Sequence, residues 1–303
     1  MKKRIITGLI LSAITAALIY FAGVYFAVAA LICICFALAE EYKAIRHAGY
    51  QPVAEPTWIA LGTSIPLALS FGHQVVVPIL MAASFITIGA VIFRGLPDQL
   101  KAQEEGESGI AAEDQPGQTE SVDPPQRDMR ILDTVMSLLP LFSIVLPGLC
   151  VVSLVQVEPL SVQRVMLLML IAVPVIGDTA ALFVGRAIGG PKLCPAVSPK
   201  KTWAGAIGGL AGSVAAALLI RLIAGFICAP TTVLPRWILC LAFGLLGGVA
   251  AQLGDLFASM VKRHCGIKDF SEIFPGHGGL LDRLDSILFM AIVLYCCRLL
   301  FFS

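Results

Sequence analysis

Between Ser259 and Asp285 an otherwise very apolar chain carries Lys262, Arg263, His264, Lys268, Asp269, Glu272, His277, Asp282, Arg283 and Asp285. Asp282 and Asp285 are three residues apart, so at the start of a helix they share a face and can jointly hold a hard divalent cation. Magnesium takes oxygen ligands, commonly one or two protein carboxylates together with substrate phosphates. The glycines of His277-Gly278-Gly279 allow close backbone approach to a phosphate, and Lys262, Arg263, Lys268 and Arg283 add positive charge. His277 is either a base or a residue that orients the turn. This is the composition of a metal and phosphate site rather than of a connecting loop.

Two further patches carry unusual residues. Asp178 sits in the apolar run before Gly185-Arg186, where a carboxylate is expensive and is functional by default. Ser198-Pro199-Lys200-Lys201-Thr202-Trp203 follows, offering cations, hydroxyls and helix-start N–H groups to a phosphate; the plainer use of Lys200 and Lys201 is as a topology anchor. Gln252, Asp255 and Ser259 have spacings of three, four and seven, which puts them on one helical face. A carboxylate there that is satisfied only by helix packing is the plainer reading of Asp255.

The elements that position these groups are membrane helices. The chain has 303 residues, 58% hydrophobic and 14% charged, with mean hydropathy +0.89; a soluble domain is about 25% charged. Apolar runs long enough to cross a bilayer predict helices near 5–20, 21–39, 57–72, 74–94, 131–155, 163–186, 204–227, 236–259 and 283–302. The fold class expected is all-α, a polytopic integral membrane helix bundle of about nine transmembrane helices. Residues 5–39 are one apolar stretch too long for a single crossing, so a hairpin near Gly23 is expected; a cleaved signal peptide is the competing reading. With the N-terminus cytoplasmic, 17 of the 21 lysines and arginines fall on the cytoplasmic side, as the positive-inside rule demands.

From Leu96 to Asp128 nine acids stand against Lys101 and Arg127. Such a stretch cannot bury enough apolar surface to order itself and reads as a disordered cytoplasmic linker. The expected organisation is a membrane region 1–94 with four helices, an acidic linker 95–130 and a catalytic membrane domain 131–303 with five. Without the linker the membrane part is basic, which suits anionic lipid headgroups and phosphates; no nucleic acid is expected as a partner. The nine cysteines show no zinc spacing. Gly205 and Gly209, Gly208 and Gly212, and Gly244 and Gly248 have the small-xxx-small spacing that allows close helix contact, here expected between 204–227 and 236–259, or else in a dimer interface.

The run Ser259, Lys262-Arg263, Lys268-Asp269, Ser271, Phe274-Pro275, His277-Gly278-Gly279, Asp282-Arg283, Asp285 resembles the signature of the phosphatidate cytidylyltransferases, or CDP-diacylglycerol synthases. The resemblance extends to G-D-T-A-A-L-F-V-G-R (177–186), S-P-K-K-T-W (198–203) and Q-L-G-D-L-F (252–257), and loosely to the N-terminal K-K-R-I-I-T-G. Leu182 stands where an aromatic residue is common in the family, and Ala204 where a Glu is. The resemblance implies transfer from CTP to phosphatidate, giving CDP-diacylglycerol and diphosphate. It implies Asp255, Asp282 and Asp285 as ligands of Mg²⁺, a second cation such as K⁺, and Lys262 among the catalytic groups. Ser198, Lys200, Lys201, Thr202, Arg263, Lys268, His277, Gly278, Gly279, Arg283 and Asp178 are then candidates for the substrates. A homodimer in a bacterial inner membrane, with its active site on the cytoplasmic face, is expected from the family. A CTP-dependent polyprenol or phytol kinase and a membrane transporter are the alternatives.

Overall fold

The structure, a computed structural model, describes residues 2–71, 76–94, 129–227, 236–273 and 278–301. The acidic linker expected at 95–130 therefore lies almost wholly outside the described residues, as does His277. The chain is helical because its apolar runs must satisfy their own backbone groups where water is absent. In order come α1 (Lys2–Phe21), α2 (Gly23–His47), α3 (Glu55–Phe71), α4 (Val76–Arg94) and α5 (Met129–Pro140). A π-helical turn, Leu141–Val145, leads from α5 into α6 (Leu146–Leu154). Pro140 and Pro147 flank that turn, and each lacks a helix donor, so the ladder widens where its regular bonds are lost. Then follow α7 (Leu160–Ile188), a two-stranded hairpin, α8 (Trp203–Ile227), α9 (Trp237–His264) and α10 (Leu281–Phe301).

Among the described residues five helical segments are long and apolar enough to cross a membrane: α2, the run Ile131–Leu154 through α5 and α6, α7, α8 and α9. The protein is thus a helical membrane protein, although by this measure the crossings number fewer than the nine expected. The apolar stretch 5–39 breaks at Ala22 and Gly23, whose φ values are 47° and 53°. Glycine takes that conformation freely, whereas Ala22 is strained by it.

The contacts divide the chain into two compact units, one of Met1–Ala44 with Ser143–Ser303 and one of Ile45–Phe142. The first helix and most of the second therefore group with the C-terminal helices rather than with a separate region 1–94. Within the smaller unit α3, α4 and α5 pack together, and the N–H groups of Gln51 and Val53 donate to Asp133 Oδ1 and Ser137 Oγ at 3.1 and 2.9 Å. In the larger unit α7, α8, α9 and α10 surround a core in which Met166, Leu167, Met169, Phe243, Met290 and Leu294 are fully buried.

Small residues set how closely these helices approach. A methyl added at Gly208 would lie 2.5 Å from Val184 Cβ, and one at Gly212 the same distance from Ala180 Cβ. The stripe from Gly205 to Gly212 thus packs mainly on α7 rather than on the following helix as expected, although Gly209 also meets Gln252 of α9; Gly244 and Gly248 do meet α8, at Val214 and Ser213. The hairpin was not expected in an all-α chain. In it β1 (Lys192–Cys194) pairs antiparallel with β2 (Ser198–Thr202), Lys192 opposite Thr202 and Cys194 opposite Ser198.

Candidate active site

The candidate residues gather where α7, the hairpin, α9 and the first turn of α10 meet in the larger unit. They line a cavity of about 750 Å³. From α7 come Asp178 and Arg186, from the hairpin Lys192, Lys200, Lys201 and Thr202, from α9 Gln252, Asp255 and Lys262, and from α10 Asp282, Arg283, Asp285 and Ser286. Lys200 and Lys201 lie on β2 rather than at a helix start. The start of α8 is served by Thr202, whose Oγ1 accepts the Gly205 N–H at 3.1 Å.

Helix α9 runs to His264, past the end expected near 259, so Lys262 and Arg263 stand on its last turn. About three turns of uninterrupted helix carry the face of Gln252, Asp255 and Ser259 on to Lys262. Gln252 Nε2 donates to the Ala206 carbonyl of α8 at 2.9 Å, fixing one helix against the other. Asp255 Oδ2 pairs with Lys201 Nζ at 2.7 Å, which ties α9 to the hairpin.

Asp178 and Asp285 approach each other through a residue that sequence reasoning passed over. Ser286 Oγ lies 3.2 Å from Asp178 Oδ2 and 3.2 Å from Asp285 Oδ1. A hydroxyl carries one proton and can donate to only one of two carboxylates at a time. Two acidic groups around one donor, Asp285 buried and Asp178 open to the cavity, make a site that gains from a cation. The oxygen chemistry of Asp178, Asp255, Asp285 and Ser286 suits a hard ion such as Mg²⁺.

Asp282 does something different. Its Oδ1 accepts from Lys262 Nζ at 2.6 Å, and its Oδ2 from the N–H groups of Phe270 and Gly279 at 2.9 and 3.0 Å. With its side chain 5% exposed and both oxygens engaged, it clamps the loop before α10. All three expected ligands, Asp255, Asp282 and Asp285, line the cavity. Among the described residues, however, no three His, Cys, Asp or Glu side chains form a group that would hold a metal by themselves.

Gly278 and Gly279 also serve this loop. Gly278 has φ 82°, and a methyl on it would lie 3.1 Å from Asp282 Oδ2, so a carboxylate fills the space expected to admit a phosphate. Ser198, Arg263 and Lys268 are likewise not among the described residues that line the cavity. Arg186 and Asp269, named in the sequence patches but given no role there, and Lys192, by contrast, line it.

Sequence reasoning also passed over Glu40 and Glu41 near the end of α2, 5% and 2% exposed. The signal was present, since two adjacent carboxylates in an apolar helix invite the argument made for Asp178. Glu41 Oε2 accepts the Ser143 hydroxyl at 2.8 Å, from the π-helical turn.

Residues 2–301 match the model of the cytidylyltransferase family. The chain belongs to that family. Phosphatidate cytidylyltransferase of Brucella suis biovar 1 (strain 1330) is 48% identical over 118 residues, 39% of this chain and 41% of that protein. The phosphatidate cytidylyltransferases of Bacillus subtilis (strain 168) and Rickettsia bellii (strain RML369-C) are 42% and 43% identical over 125 and 118 residues, 41% and 39% of this chain. Those matches span 44% and 51% of the two relatives. The chain thus aligns with about half or less of the length of these curated relatives. Of the two departures from the family's pattern, Leu182 lines the cavity beside Ala181 and Gly185, and Ala204 does not.

Proposed function

We propose that this protein is a phosphatidate cytidylyltransferase. A phosphate oxygen of phosphatidate attacks the α-phosphorus of CTP and a new P–O bond forms. The bond from the α-phosphorus to the bridging oxygen breaks, and diphosphate leaves with that oxygen. The observation that carries this reading is one cavity in which Asp178, Asp255 and Asp285 face Arg186, Lys200, Lys201, Lys262 and Arg283. Transfer at phosphorus is chiefly a matter of positioning and charge neutralisation, which this combination provides. The match to relatives that bear this enzyme name supports it.

Asp178, Asp255 and Asp285 are the residues that would hold Mg²⁺, which when bound supplies positive charge to the triphosphate. A second cation such as K⁺ would add positive charge for the phosphatidate phosphate. Lys201 neutralises phosphate oxygens, Lys262 adds positive charge to the cavity while held by Asp282, and Arg283 offers a planar fork suited to phosphate. Phosphatidate is already ionised near neutral pH, so no strong general base is required of His277. The same reading places α1 to α4, the α5–α6 run and α7 to α10 as nine crossings of a bacterial inner membrane, with the cavity on the cytoplasmic side, membrane lipids around it and two copies pairing. The excess of lysine and arginine on one side supports that orientation.

The test is incubation of the purified protein with phosphatidate, Mg²⁺ and CTP labelled separately at the α- and γ-phosphates. Label from the α position in the lipid is expected. Label from the γ position would make the protein a lipid kinase, and no label in the lipid would remove the reading. Asp285→Asn should lower turnover by about 100-fold; activity at the wild-type level with unchanged Mg²⁺ dependence would take Asp285 out of the metal assignment.

A further inference from the structure

Outside the cavity, a dense set of buried polar contacts centres on Glu40. Its Oε1 accepts the N–H of Leu280 at 3.0 Å and the hydroxyl of Ser271, and its Oε2 accepts the N–H of Leu281 at 2.8 Å. Leu281 is the first residue of α10, and the first N–H groups of a helix have no partner inside it. A carboxylate at that end also meets the positive pole of the helix dipole. The cap comes from another helix, 240 residues away in the chain.

Two carboxylates thus hold the segment before α10, Glu40 from outside and Asp282 from within. Gly279 lies between them, and a methyl on it would sit 2.9 Å from Glu40 Oε2 and 2.9 Å from the Ser271 nitrogen. Asp285 and Ser286 follow within the next two turns. A buried carboxylate costs several kcal/mol unless it is hydrogen-bonded, and a packed apolar side chain would often be more stabilising. Stability alone therefore does not account for Glu40. What it supplies is a fixed position for the first turn of α10.

We propose that Glu40 is a positioning residue for the cavity, setting the placement of Asp285 and Ser286 by capping α10. The proposal rests on the reading of the cavity as a cation-assisted transfer site, and its test separates the two. The full chain is purified as wild type, Glu40→Gln, Glu40→Ala and Gly279→Ala. Hydrogen–deuterium exchange is followed over residues 278–290, Mn²⁺ binding is read by electron paramagnetic resonance, and CTP turnover is measured in parallel.

Glu40→Ala should speed exchange at Leu280 and Leu281 by at least about tenfold, the loss of one or two charge-assisted hydrogen bonds. Mn²⁺ affinity should fall by about 10- to 100-fold, as when a group that orients a metal ligand is removed. Glu40→Gln should lie between that variant and wild type, and Gly279→Ala should resemble Glu40→Ala. A merely structural role would lower the yield of active protein without moving Mn²⁺ affinity. If wild type transfers nothing from CTP while exchange and Mn²⁺ affinity shift as stated, the transfer reading falls and the role of Glu40 stands. If Glu40→Ala fails to fold, Glu40→Gln and Gly279→Ala decide. Exchange and Mn²⁺ affinity at wild-type values in the folded variants overturn the proposal.

Discussion

The two sides of the cavity are built by different physics. On the side of α7, α8 and the hairpin, backbones approach across small residues, as at Gly208 against Val184. The ion pair at its edge, Lys201 with Asp255, is 26% and 30% exposed. On the side of α9 and α10, carboxylates accept backbone N–H groups, and the pair of Lys262 with Asp282 is only 12% and 5% exposed. A partly solvated pair is worth about 0 to 1 kcal/mol and exchanges readily. A buried pair that loses one partner leaves a charge without compensation, at about 3 to 5 kcal/mol. The first side can therefore release a lysine to an incoming phosphate, whereas the second holds its groups in place.

The sharpest way to break this contrast is Asp282→Ala. It strands Lys262 Nζ and the N–H groups of Phe270 and Gly279 together. Destabilisation of about 3 to 5 kcal/mol is expected, read from thermal unfolding in detergent. A variant as stable as wild type would mean that Asp282 is not a clamp, and would return it to the set of free metal ligands.

Much of this arrangement is legible in the sequence, for identifiable reasons. Helix positions follow from the length of the apolar runs, and the break at Ala22 and Gly23 falls where a bilayer limits a helix. Asp178 was identifiable as an acid in an apolar run, Asp255 from its helical face shared with Gln252 and Ser259, and Asp285 from its spacing to Asp282, and the structure does bring the three to one cavity. The hairpin was hidden, since Lys192–Cys194 is too short and Ser198–Thr202 too polar to show an alternating apolar pattern. Asp282 and Asp285 look alike at a spacing of three, and only the loop that folds back onto Asp282 separates a clamp from a ligand. Glu40 was hidden for a different reason, because no local pattern connects it to N–H groups 240 residues away.

An intermediate effect tests the packed side. Gly208→Val places two methyl groups and a Cβ where Val184 already stands, with the Cβ alone 2.5 Å from Val184 Cβ. Overpacking of this kind costs about 1 to 3 kcal/mol and here would push α8 from α7. Asp178 should shift relative to Asp255, so turnover should fall more than the loss of folded protein explains. Turnover that tracks folded protein alone would show that the α7 to α8 distance does not set the cavity.

The smallest effect on stability is expected from Lys201→Met, which keeps the length of the side chain and removes its charge. The pair with Asp255 is partly solvated, so unfolding should change by no more than about 1 kcal/mol. In the proposed transfer, by contrast, KM for CTP should rise about tenfold, because a phosphate would lose a cation that its arrival had drawn from Asp255. Higher salt should narrow the difference between variant and wild type, since an exposed charge is screened where a buried one is not. A variant with wild-type KM but a loss of several kcal/mol in stability would reverse the assignment, making Lys201 part of the frame and leaving the exposed side of the cavity without its exchangeable charge.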